Sequence, residues 1–101
     1  MISSGLGSIG ASKGSIDFNV VAYAMSKSAM NQAMKTLAVD HFNDPIIFTS
    51  FCPGFNKTGL NQNRGILNVE DTTPVLVDSI KKITKEHSGG YYHRDLVAIP
   101  Y

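Results

Sequence analysis

An uninterrupted helical pattern occupies the first half of the chain. Residues 20–44 contain neither glycine nor proline and are rich in alanine and methionine, which favour helices. Apolar residues recur there at intervals of three and four, on one face of a helix: Met30, Ala33, Met34, Leu37 and Ala38. Asn19 is a suitable N-cap, and residues 43–45 (Asn-Asp-Pro) are a strong stop signal. The pattern predicts a helix from about Val20 to Phe42.

A buried strand is predicted directly after this helix. Residues 46–52, with the sequence Ile-Ile-Phe-Thr-Ser-Phe-Cys, form a short apolar run between Pro45 and the turn pair Pro53-Gly54. Such a run, bounded by turn signals, is typical of a parallel strand covered on both faces. Residues 53–68 carry glycine, asparagine and scattered apolar residues, which indicates a loop with at most one helical turn.

A second helix is predicted in the last third of the chain. It begins near Val69, with Pro74 near its first turn, and residues 87–90 (His-Ser-Gly-Gly) end it. Apolar residues line one face of this helix: Leu76, Ile80 and Ile83. We expect that face to pack on the sheet.

Short apolar segments at both ends predict the remaining strands. Residues 1–3 have the character of a strand end, followed by a loop rich in glycine and serine up to residue 19. Residues 91–93 and 96–99 each predict a short strand. The order of strand end, helix, strand, helix and strand predicts an α/β fold with a parallel sheet and right-handed crossovers. Two helices cannot cover both faces of such a sheet, so we expect the chain to be the second half of a larger fold.

The composition excludes several classes of protein. Of the 101 residues, 43% are apolar and 17% charged, as in globular domains, and the formal net charge of +1 predicts no nucleic-acid or membrane partner. No apolar run approaches the length of a membrane span, and the start lacks the regions of a signal peptide, so we expect a cytoplasmic protein. A single cysteine, Cys52, excludes an internal disulfide, and the three histidines show no metal-ligand spacing.

One glycine pattern in the first loop is a candidate for phosphate binding. Residues 5–10 (Gly-Leu-Gly-Ser-Ile-Gly) match the dinucleotide-binding pattern G-x-G-x-x-G. That pattern works between a strand and the start of a helix, whereas here a strand end precedes it and further loop follows. No acidic residue lies on a second strand at the spacing that a ribose would need. We therefore interpret residues 5–10 as a flexible loop and not as a cofactor-binding loop.

Tyr23 and Lys27 form a candidate acid/base pair. Residues four apart share a helix face, so the phenol and the ammonium can approach each other. A nearby cation favours the phenolate, which makes a phenol useful for proton transfer to and from a carbonyl oxygen. A hydroxyl of Ser3 or Ser4, in the loop before the helix, can bind the same oxygen. Tyrosine and lysine at this spacing are also common as surface residues, so the pair alone does not establish a site.

Several motifs in order resemble the short-chain dehydrogenase/reductase family. They are Ile-Ser-Ser at residues 2–4, the glycine-bearing loop, Tyr-x-x-x-Lys at residues 23–27 with Ser26 before the lysine, and Pro53-Gly54. Further segments resemble the branch of C-factor and sniffer-type carbonyl reductases: residues 3–9, 26–31, 38–40, 53–58 and 89–91. The resemblance implies the C-terminal portion of a Rossmann-type, doubly wound parallel sheet in three α/β/α layers.

The resemblance also implies a catalytic set. Ser4 would polarise the carbonyl of the substrate, and Tyr23 would donate or accept the proton. Lys27 would make the Tyr23 phenol more acidic and bind the ribose of a nicotinamide cofactor. The reaction implied is the interconversion of a small-molecule carbonyl compound and an alcohol by hydride transfer.

The turn after the predicted strand resembles the family's nicotinamide site. Pro53 and Gly54 would shape that turn, and Thr58 matches a residue that contacts the cofactor. Asn56 stands where the family usually has a valine or isoleucine whose backbone meets the carboxamide. The cofactor implied is NADP or NAD, and the branch favours NADP. Residues 59–68 correspond to the variable loop over the substrate.

The chain departs from the family pattern in what precedes Ser4. The family's phosphate-binding glycine loop, its ribose-selecting residue and the asparagine of its proton relay all lie before the serine motif. The resemblance therefore implies that residues 1–101 are a single partial domain, the catalytic half of the fold. It further implies a homodimer or homotetramer for the full-length protein. An alternative stays open, in which the chain is a non-catalytic remnant that binds a partner or dimerises through its long helix.

Overall fold

The computed structural model describes residues 1–13 and 18–101. Two helices, α1 (Phe18–Asp40) and α2 (Val69–Lys82), alternate with two strands, β1 (Ser50–Cys52) and β2 (Tyr91–His93). Three single 3₁₀ turns complete the described elements: Gly5–Gly7, Gly59–Asn61 and Lys85–His87. Residues 14–17 of the predicted glycine- and serine-rich loop lie outside the described residues.

The sheet is parallel, as predicted. β1 pairs with β2 with Ser50 opposite Tyr91. On the other side of β1, the chain start pairs in parallel through a bridge between Ile2 and Phe51. The Phe51 N–H donates to the Met1 carbonyl at 2.8 Å and the Ser3 N–H to the Phe51 carbonyl at 2.7 Å. Residues 1–3 are therefore the predicted strand end, and β1 is the central member of the three.

α1 agrees with the predicted helix in extent more than in detail. It begins at Phe18, so Asn19 lies inside the helix and the N-cap prediction was wrong. Its last residue is Asp40, two residues before the predicted end, and one more helical hydrogen bond joins the His41 N–H to the Leu37 carbonyl at 3.0 Å. The buried positions of α1 are Ala24, Asn31, Met34 and Ala38. Ala33, predicted on that face, is exposed, because the buried stripe follows Asn31 instead.

The strand predicted over residues 46–52 is shorter in the structure. Only its last three residues are in β1. The loop that leads into β2 hydrogen-bonds with the backbone that precedes β1. The Phe48 N–H donates to the Ser88 hydroxyl at 3.1 Å, and the Phe48 carbonyl accepts from the Gly89 N–H at 2.6 Å. Residues 46–49 are therefore fixed by the segment that leads into β2 rather than by a strand ladder.

α2 begins at Val69 as predicted but ends at Lys82, well before residues 87–90. Ile83 is extended, and the next turn is closed separately because the Thr84 N–H donates to Nδ1 of His87 at 3.1 Å. Pro74 lies at the sixth helical position, inside the helix and not at its first turn. Its missing N–H leaves one helical hydrogen bond unmade.

The face of α2 differs from the prediction. Small polar residues, Thr72 and Ser79, are its buried positions. Of the predicted apolar face, Leu76 and Ile83 are half-buried and Ile80 is exposed. The periodicity correctly predicted a helix, but it did not predict which of its residues face the rest of the molecule.

Residues 96–99 form a returning segment and not a strand. Leu96 has a positive φ of 65°, and the chain turns there so that the His93 N–H donates to the Val97 carbonyl at 2.8 Å. One antiparallel bridge joins Tyr92 and Ala98. This return brings Ile99 onto Tyr91 and Cys52, and the three form a buried apolar cluster. No helix in the described part of the chain is long and apolar enough to cross a membrane.

Candidate active site

The three parallel segments end at one edge of the sheet. Ser4 follows the first segment, Pro53 follows β1, and Arg94 follows β2. In parallel α/β sheets, ligands bind outside the carboxyl ends of the strands. The predicted residues of the catalytic set and of the nicotinamide turn therefore lie about this edge or on the helix that follows it.

Ser4 begins the turn Gly5–Gly7. Its hydroxyl accepts a hydrogen bond from the Leu6 N–H at 3.3 Å, and its carbonyl accepts from the Gly7 N–H at 2.8 Å. The hydroxyl of Tyr91 donates to the same carbonyl. The turn is tied to β1 because the Gly5 N–H donates to Sγ of Cys52 at 3.1 Å. Ser4 is half-buried, in a turn fixed by hydrogen bonds on both sides.

Tyr91 is an interior hydrogen-bond donor. It is 1% exposed and lies at the start of β2. Burial raises the pKa of its phenol, and the thiol of Cys52, when ionised, adds to that effect. A raised pKa keeps the hydroxyl protonated, which is the form that donates to the Ser4 carbonyl.

Tyr23 and Lys27 are brought together on α1. Nζ of Lys27 lies 5.5 Å from the centroid of the Tyr23 ring. The same ammonium donates to the Ile2 carbonyl at 3.2 Å, two residues before Ser4. Tyr23 is 40% exposed, so a small molecule has access to its side chain. The lysine therefore links the tyrosine on the helix to the serine segment at the sheet edge.

Gly7 docks the serine turn on α1. A Cβ placed on Gly7 would lie 2.9 Å from the carbonyl carbon and Cβ of Lys27. The Gly7 carbonyl accepts hydrogen bonds from Oγ of Ser28 at 3.0 Å and from Nδ2 of Asn31 at 3.3 Å. The backbone of residues 5–7 thus contacts the side of a helix, in place of the open helix N-terminus that a phosphate loop requires. The close packing also fixes where Lys27 sits relative to Ser4.

The turn after β1 needs glycine at residue 54. Gly54 has φ +92°, and a Cβ there would lie 2.7 Å from Cδ1 of Leu67 and 2.9 Å from Nη1 of Arg94. Nδ2 of Asn56 donates to the carbonyls of Pro53 and Gly54, both at 3.2 Å. The asparagine that departs from the family pattern therefore holds the turn by its side chain.

Thr72 completes this arrangement, and the sequence interpretation missed it. Its hydroxyl donates to Oδ1 of Asn56 at 2.6 Å, and its residue is 6% exposed. The backbone N–H of Thr58 donates to Oδ1 of Asn61 at 3.1 Å, which orders the next turn. A cleft of about 170 Å³ opens between this turn and α2, lined by Pro53, Asn56, Thr58, Val69, Thr72, Thr73 and Leu76. A buried threonine one turn into a helix gave no signal in the sequence that distinguished it from an ordinary helix residue.

Similar proteins were found among both solved structures and curated sequences. The carbonyl reductase Sniffer of Drosophila melanogaster is 35% identical, with a TM-score of 0.86 over 99% of this chain and 39% of its own. A short-chain dehydrogenase/reductase from Burkholderia multivorans with bound NADP is 25% identical, with a TM-score of 0.82 over 99% of this chain and 42% of its own. The chain belongs to the short-chain dehydrogenase/reductase family. It corresponds to the C-terminal part of the family's fold.

A curated relative supports the same family. An uncharacterized oxidoreductase of Schizosaccharomyces pombe is 30% identical over 98 residues, which cover 79% of this chain and 38% of the relative. The chain thus spans about two fifths of the length of each of these three relatives. No protein-family model matches the sequence.

The family membership confirms the predicted fold and the predicted resemblance to sniffer-type reductases. The roles of Ser4, Tyr23, Lys27 and the Pro53–Thr58 turn stay predictions, now with a defined geometry. Within residues 1–13 and 18–101, no cluster of three or more His, Cys, Asp or Glu side chains could hold a metal ion.

Proposed function

We propose that residues 1–101 form the catalytic half of an NAD(P)-dependent oxidoreductase that interconverts a small-molecule carbonyl compound and an alcohol. One observation carries the proposal. The Lys27 ammonium lies 5.5 Å from the centroid of the Tyr23 ring and donates to the Ile2 carbonyl beside the Ser4 turn. The phenol of Tyr23, the cation of Lys27 and the turn that begins at Ser4 are therefore neighbours in this chain. The named relatives of the chain are oxidoreductases and carbonyl reductases.

Each group has a role that follows from its chemistry. In the reductive direction Tyr23 donates its proton to the carbonyl oxygen of the substrate, and in the oxidative direction it removes the proton of the alcohol. The Ser4 hydroxyl donates a hydrogen bond to the same oxygen as negative charge develops there. Lys27 stabilises the phenolate that Tyr23 becomes after it has given up its proton.

The described residues fit the nicotinamide end of a dinucleotide. Pro53, Asn56 and Thr58 line the cleft against α2, and Gly54 lies in the turn between Pro53 and Asn56. Bound there, the nicotinamide would supply or accept the hydride. Lys27 would hold the ribose, and Asn56 would hold the turn in shape through its hydrogen bonds to Pro53 and Gly54.

The relatives support the choice of reaction and cofactor. Sniffer is named a carbonyl reductase, and the Burkholderia protein was solved with NADP. We carry these properties over as a proposal: a carbonyl or alcohol substrate, with NADP preferred to NAD. Residues 59–68 beside the cleft would cover the substrate.

The test uses a chimera in which residues 1–101 replace the matching part of Drosophila Sniffer, because the two superpose over 99% of this chain. Oxidation of NADPH and NADH is followed with a panel of aldehydes, ketones and quinones. Tyr23→Phe should lower kcat by about a hundredfold or more, since general acid catalysis contributes roughly 10²–10⁴. The KM for the cofactor should change little.

Tyr92→Phe is the matched control for this experiment. Tyr92 lies in β2, where its ring packs on Phe51 and His87, and it should leave kcat near the parent value. A Tyr23→Phe chimera with near-normal kcat on the best substrate of the panel would contradict the proposed role of Tyr23.

One observation favours a second candidate function, binding of a partner through α1. The helix exposes large apolar side chains, with Phe18 88% and Met25 66% accessible. Exposed apolar surface of this kind is typical of interaction sites. Sedimentation of the 101-residue chain would show self-association, and Met25→Lys should abolish it. A monomer at all concentrations would exclude dimerisation through α1.

A further inference from the structure

Arg94 occupies a position beside the proposed nicotinamide turn. It follows β2 at the carboxyl edge of the sheet and is half-buried. Its Nη1 lies 2.9 Å and its Cζ 3.9 Å from the place that a Cβ of Gly54 would occupy. The guanidinium therefore rests against the backbone of Gly54. Cδ1 of Leu67 also lies close to this glycine, 2.7 Å from the same Cβ position.

The guanidinium has no partner within residues 1–13 and 18–101. The acid–base contact that those residues form joins Nδ1 of His41 to Oδ2 of Asp44 at 2.6 Å and does not involve Arg94. Oδ1 of Asp95, the next residue, accepts instead from the Val97 N–H at 3.3 Å. A guanidinium is always charged and carries five N–H donors, so an unpaired and partly buried one favours an anion.

The other arginine of the chain shows the contrast. Arg64 is exposed, and its Nη2 donates to Oε1 of Gln62 at 2.8 Å. Arg94 is less accessible than Arg64 and makes no such hydrogen bond. Its Nη1 rests against Gly54, and no residue of the described chain accepts a hydrogen bond from the guanidinium.

We infer that Arg94 binds an oxyanion group of a molecule in the site, through the two-pronged hydrogen bonding that guanidinium makes with carboxylates and phosphates. The group is either the carboxylate of an acidic carbonyl substrate or a phosphate of the cofactor. The inference rests on the proposed function for the identity of the site. It adds a residue that selects anionic ligands, and the carboxylate source would make 2-oxo acids a preferred substrate class.

The test is an NMR titration of the 101-residue protein that follows the Nε–Hε signal of Arg94. Three probes separate the sources: 2-oxobutyrate, the neutral ketone 2-butanone, and inorganic pyrophosphate. We expect 2-oxobutyrate or pyrophosphate to shift the Arg94 signal, and 2-butanone to leave it in place. Arg94→Met should weaken the bound anion at least tenfold, whereas Arg64→Met should not change its Kd.

Each result of the titration has a defined meaning. Binding of 2-oxobutyrate that is lost in Arg94→Met supports the carboxylate source, and the same result with pyrophosphate alone supports the cofactor phosphate. An Arg94 signal that none of the anions shifts, or an affinity that Arg94→Met leaves unchanged, overturns the inference. Arg94→Lys, which keeps the charge and the packing stem, should retain part of the affinity and guards against a folding defect.

The outcome is independent of hydride transfer. Anion binding at Arg94 needs neither Tyr23 nor a bound dinucleotide, so a failure here leaves the Tyr23→Phe result unaffected. Conversely, an active chimera in which the anion probes do not reach Arg94 would keep the proposed function and remove only the anion site.

Discussion

The hydroxyl of Tyr91 donates a hydrogen bond to the backbone carbonyl of Ser4, across 87 positions of sequence. Tyr91 is the buried first residue of β2, and Ser4, which begins the turn Gly5–Gly7, is the residue proposed to polarise the substrate carbonyl. The packing of the sheet and the position of the serine are therefore connected by one bond. We therefore expect a change at Tyr91 to alter the position of Ser4.

Tyr91→Phe should destabilise the protein by about 1 kcal/mol, because a single intramolecular hydrogen bond contributes roughly that amount. The ring remains in the core, so the change isolates the hydroxyl. Urea denaturation followed by circular dichroism measures it. Tyr92→Phe, one residue along the same strand, is the control and should cost less, and equal losses in both variants would argue against a special role of the Tyr91 hydroxyl.

The stability of the protein should fall at alkaline pH. Burial raises the pKa of Tyr91 above its ordinary value of 10.0, so the folded state holds the phenol proton more tightly than the unfolded chain. The stabilisation is complete below pH 10.0 and is lost as the pH rises through the folded-state value. Burial raises the pKa of Tyr101 in the same direction.

Denaturation measured from neutral to strongly alkaline pH would reveal this loss. The stability of Tyr91→Phe should depend less steeply on pH than that of the parent, with Tyr101 left as the remaining contributor. Parallel curves for parent and variant across the alkaline range would contradict the assignment to Tyr91.

Gly54→Ala should be destabilising by more than about 1 kcal/mol. Its φ of +92° disfavours any residue with a Cβ, and that Cβ would lie 2.7 Å from Leu67. Gly59→Ala is a matched control, because a Cβ at Gly59 meets nothing within 4 Å. Its effect should stay within about 0.5 kcal/mol. Thermal unfolding of both variants tests the contrast, which disappears if the turn after β1 tolerates alanine.

The 101-residue chain alone should bind NADPH and NADH weakly or not at all. A dinucleotide gains much of its affinity from its pyrophosphate and adenosine, which a glycine loop and a helix N-terminus hold. The backbone of residues 5–7 is instead committed to docking on α1. Calorimetric titration with either cofactor measures the affinity. A Kd in the low micromolar range would show that this account of the chain is incomplete.

Local patterns predicted the elements, and the long-range contacts were not predictable. The spacing of Tyr23 and Lys27 follows from helical geometry, and the end of β1 follows from Pro53-Gly54, because both signals are carried by neighbouring residues. The return at Leu96 was misread as a strand, since its apolar composition does not reveal a positive φ. Propensity likewise overestimated the length of α2, which stops where Ile83 becomes extended.

The sequence predicted which residues form the candidate site, but it did not predict the hydrogen bonds that hold them in place. Nothing local connects Thr72 to Asn56 or Tyr91 to Ser4, because each bond joins separate elements and forms only when the sheet is assembled. Arg94 gave no sequence signal, since its significance lies in the glycine it packs against and in the partners it lacks among the described residues. The parts of the site that depend on tertiary packing therefore needed the structure.

The Lys27 ammonium serves two neighbours at once, the Tyr23 ring and the Ile2 carbonyl. A relative without the proposed reaction would still gain the hydrogen bond by which this cation joins the first parallel segment to α1. Natural selection would then retain the lysine for architecture after the reaction had gone. Retention of Lys27 in a relative is for that reason poor evidence of activity, and the fate of the Tyr23 hydroxyl is the better record of whether a lineage still carries out catalysis.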